Sequence, residues 1–271
     1  MTNPDTITRS PWLYDTAPFE IVEGLYYVGN TSVSSHLFDT GDGLLLLDSG
    51  YPNTAYLLLE SIRSLGFDPA DIKWILHTHA HIDHFGATRY LKEKYGCTTY
   101  MPAPDIPLLY EKSDLNYCQE LGYPYCPPYD TWFAVDVLVN DGDVLRFGNL
   151  TVTAHSAAGH TPGTMAYFFD LNCGYRAAMH GGIGWNTLTS GYIHKHNLDG
   201  NWRVDYLQSL IALKDIPTDI VLGNHPYQSE TFEKKTGKKE AKNPFIDPLE
   251  WCKTLTELAK DAQEFFEKDP I

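Results

Sequence analysis

The chain has 271 residues, with 20 Lys and Arg against 35 Asp and Glu, and a formal net charge of −15. That excess of negative charge repels polyanions, so nucleic acid and anionic membrane surfaces are excluded as expected partners. A chain of this length can bury about three quarters of its unfolded surface, so a full core is available without disulfides.

The N-terminal text MTNPDTITRSPWLYD has neither the basic start nor the apolar run of a signal peptide, and nothing in the chain reaches the roughly 18 apolar residues of a membrane span. The chain as given is therefore expected to be cytoplasmic, with a trimmed export signal as the alternative. Its five cysteines, Cys97, Cys118, Cys126, Cys173 and Cys252, are scattered and contain no CxxC pair. Reduced thiols are expected, although Cys118 and Cys126 could pair.

In chain order, Phe19–Val28 and Ser35–Asp39 alternate or run apolar, and Gly43–Asp48 (GLLLLD) is a short buried strand leading into Ser49 and Gly50. Thr54–Leu65 has helical spacing through Leu57, Leu58, Ile62 and Leu65, closed by Gly66. Ile72–Leu76 is a second apolar strand. Gly86–Tyr95 reads as a helix ended by Gly96, and Cys97–Met101 as the next strand. Six aromatic residues between Tyr110 and Trp132 predict a partly irregular loop that is packed rather than solvated. Strands return at Val135–Val139, Leu150–His155, Thr164–Phe169, Arg176–Met179 and Asp219–Leu222. Helices are expected at Asp205–Leu213 and Pro248–Lys268, and KKTGKKE (234–240) as an exposed loop. Strands in runs with helices between them, in both halves, predict a layered α/β sandwich forming one domain over 1–271.

Strand Ile72–Leu76 runs directly into HTHAHIDHFG (77–86), which holds four His and one Asp within eight residues. In extended backbone His79 and His81 leave the same face, and a turn after them would swing Asp83 and His84 toward a neighbouring point. Imidazoles with a single carboxylate suit Zn²⁺ better than Mg²⁺ or Ca²⁺, which favour oxygen ligands. The competing reading is a metal-free, histidine-rich surface loop.

HAHIDH (79–84) resembles the HxHxDH signature of the metallo-β-lactamase superfamily. Ala158–Gly163 (AGHTPG) resembles that family's GHTPG turn, Gly223–Pro226 (GNHP) its late strand-end histidine, and Gly43–Gly50 (GLLLLDSG) its early strand ending in a buried Asp. The resemblance spans about residue 26 to the C-terminus. It implies an αββα sandwich of two mixed β-sheets flanked by helices, and two zinc ions per chain. One would be held by His79, His81 and His160, the other by Asp83, His84 and His225, each with a coordination place left for water. Asp48 is then either a carboxylate orienting a ligand histidine or an ordinary turn residue. The glyoxalase- and lactonase-like members carry a metal-bridging Asp after the strand that here reads Tyr175–Met179. This chain continues HGGIGWN (180–186), with neither that carboxylate nor a Cys. Together with VGNTSVSSHLFDTGDGLLLLD (28–48) and NPFIDP (243–248), that departure is most similar to the third, histidine-rich subclass of metallo-β-lactamases.

His180, beside two glycines, is either a satisfied interior histidine or a contact to substrate. Trp185, Asn186, Tyr227 and the aromatic segment around Tyr117, Tyr123, Tyr125 and Tyr129 are candidate pocket walls, with core packing as the alternative. His77 reads as a strand-end residue, and His36, His155, His194 and His196 as structural. The resemblance implies a zinc-dependent hydrolase in which Asp83 orients the attacking water and no Ser or Cys nucleophile is needed. A β-lactam is the lead substrate and a cytoplasmic lactonase or glyoxalase-like thioesterase the alternative. A diiron oxidoreductase relative would need a flavin domain for which the chain shows no room, and a non-catalytic binding module fits poorly with an intact ligand set.

Overall fold

The computed structural model describes residues 4–121, 132–237 and 242–271. Strands β1 (Phe19–Val22), β2 (Leu25–Tyr27), β3 (His36–Asp39), β4 (Leu44–Leu47), β5 (Ile72–Leu76), β6 (Thr98–Pro102) and β7 (Val137–Val139) form one sheet in that spatial order. The first four are antiparallel and the last four parallel. A second sheet runs β12 (Ile220–Leu222), β11 (Arg176–His180), β10 (Met165–Asp170), β9 (Leu150–Ser156), β8 (Val144–Phe147), with only the β11–β12 pair parallel.

The leucine run of β4 explains how the layers stack. Leu45 and Leu47 face the second sheet, while Leu44 and Leu46 face Leu58, Leu59 and Ile62 of the helix Ala55–Ser64. A strand covered on both faces reads as continuously apolar, whereas a half-exposed strand alternates. The second sheet divides in the same way. Tyr167 and Phe169 point inward, and Ala166 and Phe168 outward, against Tyr206 and Leu210 of helix Asn201–Leu213 and Trp251 and Leu255 of helix Glu250–Lys268. Phe38 and Phe169 stack between the sheets, with ring centroids 4.5 Å apart. The result is a four-layer αββα sandwich.

Several elements differ from the sequence reading. Phe19–Val28 is a hairpin rather than one strand, because Glu23 and Gly24 turn between β1 and β2. Strand β8 carries too short a pattern to be seen, with Leu145 packed against the core and Phe147 within it. Helices Pro4–Arg9, Ser190–Lys195 and Thr231–Gly237 are additional. Lys234 and Lys235 of the expected exposed loop lie on the last of these, where Lys234 pairs with Glu250 and Lys235 donates to the Ala17 carbonyl. Both contacts are distant in sequence, so local text does not show them. Residues 238–240 of that loop lie outside the described residues, as do Tyr123, Tyr125, Tyr129 and Cys126. Cys97, Cys173 and Cys252 form no disulfide.

Because Phe38 is fully buried and stacked across the sheet interface, Phe38→Ala is expected to lower the unfolding free energy by about 3–5 kcal/mol. Denaturant melts of the two proteins check this; a loss under about 1 kcal/mol would contradict the packing.

Candidate metal centre

The site collects at one edge of the sandwich, where β4, β5, β11 and β12 end. Ligands and cofactors in open α/β sheets gather beyond the carboxyl ends of strands. After β5 the chain bends through residues 78–80 to His81, then makes one helical turn, Ile82–Phe85. Ile82 and Phe85 bury their side chains with Met101, Leu108 and Leu109, which fixes the turn. Asp83 and His84 consequently leave its other side, with the His84 ring centroid 4.4 Å from that of His79.

Two groups of side chains converge. His79, His81 and His160 form one, and Asp83, His84 and His225 the other; within each, the potential ligand atoms lie within 4.8 Å of one another. In the first, His81 Nδ1 is 3.0 Å from both His79 Nε2 and His160 Nε2. In the second, Asp83 Oδ2 is 3.6 Å from His84 Nε2 and 3.7 Å from His225 Nε2.

The protons on these rings are dictated by the far nitrogens. His160 donates from Nδ1 to the Gly184 carbonyl at 2.7 Å, and His225 from Nδ1 to the Ser32 carbonyl at 2.8 Å. His84 donates from Nδ1 to Asp48 Oδ2 at 3.0 Å. The Thr78 hydroxyl gives its proton to Asp48 Oδ2, so it accepts from His79 Nδ1 at 3.0 Å. Four of the five imidazoles therefore present a bare Nε2 lone pair. His81 has at most one proton on Nδ1 to offer two such neighbours. Lone pairs facing one another in a buried space repel unless a cation stands among them. With zinc–nitrogen bonds of about 2.0–2.1 Å, a tetrahedral edge is about 3.3 Å, close to the spacing seen in the first group. The donor set thus fits a metal, and three nitrogens beside a two-nitrogen, one-carboxylate set fit zinc's chemistry.

Burial reinforces this protonation pattern. It pushes His79 and His81 well below the ordinary histidine value, with the neighbouring imidazoles adding to the effect, and lowers His160 to about 4. His84 differs: burial pushes it down, but Asp83 and Asp48 outweigh that and raise it.

Asp48, the residue after β4, sits in the left-handed region at φ 56, where a non-glycine residue is strained. Its carboxylate accepts from Thr78 N at 2.9 Å, Thr78 Oγ1 at 2.8 Å and His84 Nδ1, with Asn224 Nδ2 at 3.5 Å. These bonds join the loop after β5 to the loop after β12. Gly182 is needed on the opposite side, since a Cβ there would lie 2.7 Å from the His160 ring.

The remaining expected residues divide. Tyr117 lies against His81, ring centroids 5.1 Å apart, with the Asn186 side chain near its hydroxyl. Tyr227 is 75% exposed and stacks on His225 at 5.7 Å. Trp185 is instead turned onto Phe265 of the last helix, and His180 packs its ring toward Tyr206 with Nε2 3.5 Å from Ser209. Both rings pack on the helix layer. His77 is held between the Tyr100 carbonyl and the Thr88 hydroxyl, and His36 lies in the core beside Tyr27. Asp105, which the sequence reading did not single out, is completely buried between the two loops that carry the first group.

A sandwich of this topology, with two such ligand groups at one edge, defines a metallo-hydrolase of the metallo-β-lactamase type. The family model of the metallo-β-lactamase superfamily matches residues 28–172, and the chain belongs to that superfamily. Among solved structures it is similar to BJP-1, a subclass B3 metallo-β-lactamase of Bradyrhizobium japonicum. That match has 28% identity, TM-score 0.81 and covers 97% of this chain and 98% of that one. FEZ-1, a metallo-β-lactamase from Legionella gormanii, matches at 28% identity and TM-score 0.83, over 94% and 97%. An uncharacterized protein of Aquifex aeolicus is 29% identical over 76% of this chain and 86% of its own length. A hydroxyacylglutathione hydrolase of Haemophilus influenzae is 25% identical over 79% and 92%. The chain spans only half the length of a probable metallo-hydrolase of Burkholderia pseudomallei, to which it is 30% identical. Among the described residues no helix is long and apolar enough to cross a membrane.

Burial holds His180 down at about 3 against an ordinary 6.5. The folded chain keeps it neutral while the unfolded chain takes up a proton below about 6.5. Its contribution to stability is therefore present above pH 6.5 and lost as pH falls toward 3. His180→Gln is expected to make the fall in stability across that window shallower in denaturant melts of metal-free protein. Equal slopes for the two proteins would contradict the buried, neutral assignment.

Proposed function

We propose that the protein is a dinuclear zinc hydrolase that opens a strained cyclic amide, with β-lactams as the lead substrate class. The observation that carries this reading is the pair of ligand groups, three nitrogens beside Asp83, His84 and His225, with His180-Gly181-Gly182 where a bridging carboxylate would otherwise stand. The likeness to subclass B3 enzymes over nearly the whole chain supports it. His79, His81 and His160 would hold one ion and Asp83, His84 and His225 the other. Zinc, when bound, supplies Lewis acidity that lowers the pKa of water toward neutrality and polarises a carbonyl.

The chain's own residues do the rest. Gly184, Ser32, Asp48 and Thr78 hold four imidazoles in one tautomer, so the ligand atoms need no reorganisation. Asp83 Oδ2 faces His84 and His225, and its other oxygen accepts a hydrogen bond from the attacking water, aiming that water's lone pair at the carbonyl carbon. The proton that water loses passes to the Asp83 carboxylate, and from there to the departing nitrogen as the ring bond breaks. No protein nucleophile is required: the Ser49 hydroxyl is engaged with Thr88 and the His84 carbonyl. Tyr117 and Tyr227 flank the two groups and would offer aromatic faces to the substrate's substituents.

A second reading, thioester hydrolysis, is favoured by the match over nearly the full length of a hydroxyacylglutathione hydrolase. One experiment separates the two. Zinc-loaded protein is expected to hold close to two ions per chain and to open nitrocefin in a chelator-sensitive reaction. Asp83→Ala should slow that reaction by at least about 10²-fold. Less than one zinc per chain would end the dinuclear reading. Full zinc loading with thioester or lactone turnover and no lactam opening would replace the substrate class with the second reading.

A further inference from the structure

Asp48 fastens the second ligand group, and the three-histidine group has a buried carboxylate of its own. Asp105 lies in the turn Ala103–Asp105 after β6, completely buried. Its Oδ2 accepts from the Ala80 amide at 2.8 Å and from the Thr161 hydroxyl at 2.8 Å, and its Oδ1 from the Gly163 amide at 2.6 Å. Ala80 is the residue between His79 and His81; Thr161 immediately follows His160. We infer that Asp105 is a positioning residue for the metal centre, clamping the two loops that supply the three-histidine group. This inference rests on the metal-binding reading of those histidines and adds a residue to it.

Three features favour a dedicated clamp over an incidental buried acid. A lone carboxylate in the interior is costly unless its oxygens are satisfied, and here three donors from two loops satisfy it. Two of the three are backbone amides, and the one at position 80 survives any substitution there except proline. The clamp also explains Gly163, the last residue of the AGHTPG turn. A Cβ there would lie 2.7 Å from the Asp105 backbone nitrogen, Cγ and Oδ1, so only glycine lets the turn close onto the carboxylate. A further bond, between the Thr161 and Thr164 hydroxyls at 2.8 Å, and the Thr161 amide bond to Thr164 Oγ1 at 3.0 Å, stiffen the turn beyond it. Burial raises the Asp105 carboxyl to about 6 while the amides and Thr161 pull it down, so the acceptor role is made at some electrostatic cost.

The clamp explains a geometric requirement. His79 and His81 arrive from the end of β5, whereas His160 arrives from the β9–β10 connection about 80 residues later. Their mutual register across the two sheets must hold to a fraction of an ångström for three nitrogens to share one ion. Asp105 supplies a rigid connection between the two loops that bypasses the ligands.

Zinc affinity, measured by competition with a chromophoric chelator, tests this without any reference to turnover. In a His225→Ala background only the three-histidine group remains intact, and in a His160→Ala background only the second group. Asp105→Asn cannot accept from both oxygens, because its amide nitrogen is a donor. It is expected to weaken zinc binding by about 10–100-fold in the first background and less than about 2-fold in the second. Thr161→Val, which keeps both amide bonds, should show the same selectivity with a smaller loss, and serves if the Asn variant does not fold. Equal losses in both backgrounds, or none in the first, would overturn the clamp. Absence of zinc binding in both parent backgrounds would instead strike at the metal-centre reading itself.

Discussion

Five imidazoles and a carboxylate crowd one edge of this sandwich, and four of the imidazoles present unprotonated nitrogens toward shared points. In a buried space such facing lone pairs repel one another, and positive charge at those points relieves that repulsion. Four surrounding hydrogen bonds serve that arrangement. The Nδ1 protons are spent on the carbonyls of Gly184 and Ser32, the Asp48 carboxylate and the Thr78 hydroxyl. The metal-facing side of each ring is thereby left bare before any ion arrives.

The scaffold makes this arrangement affordable in strain and in entropy. The two sheets carry the ligands on strand ends and short turns, so few backbone dihedrals separate each histidine from the core. Ile82 and Phe85 anchor the turn that separates the two ligand groups. The strained conformation of Asp48 is tolerated because four donors converge on its carboxylate. Asp48 and Asp105 thus divide the work: one binds the loop after β5 to the loop after β12, the other binds it to the β9–β10 connection. Family membership supports a hydrolase, and the proposal of a strained amide as substrate rests on the His180-Gly181-Gly182 sequence, which has no carboxylate.

How much of this was legible in the sequence depended on the range of the interaction. The histidine pattern between 77 and 84 is local and its chemistry is carried by side chains, so the ligand candidates and the strand feeding them stood out. The doubly covered β4 was equally plain, because burial on both faces leaves an unbroken leucine run. Asp105 left no such trace: its partners are mainly backbone amides 25 and 58 residues away, and an amide has no letter of its own. Trp185 misled for the opposite reason. It stands beside a motif in sequence, yet the turn that follows swings its ring onto Phe265. Lys234 and Lys235 read as a solvated run because Glu250 and the Ala17 carbonyl, which hold them, are remote in the chain.

The proposed centre would hold one ion in each of two distinct sets of side chains. Diffraction from crystals of the zinc-loaded protein, recorded at the zinc absorption edge, tests it most directly. Two anomalous peaks are expected, one bounded by His79, His81 and His160 and the other by Asp83, His84 and His225. A single peak, or peaks displaced from those side chains, would contradict the account.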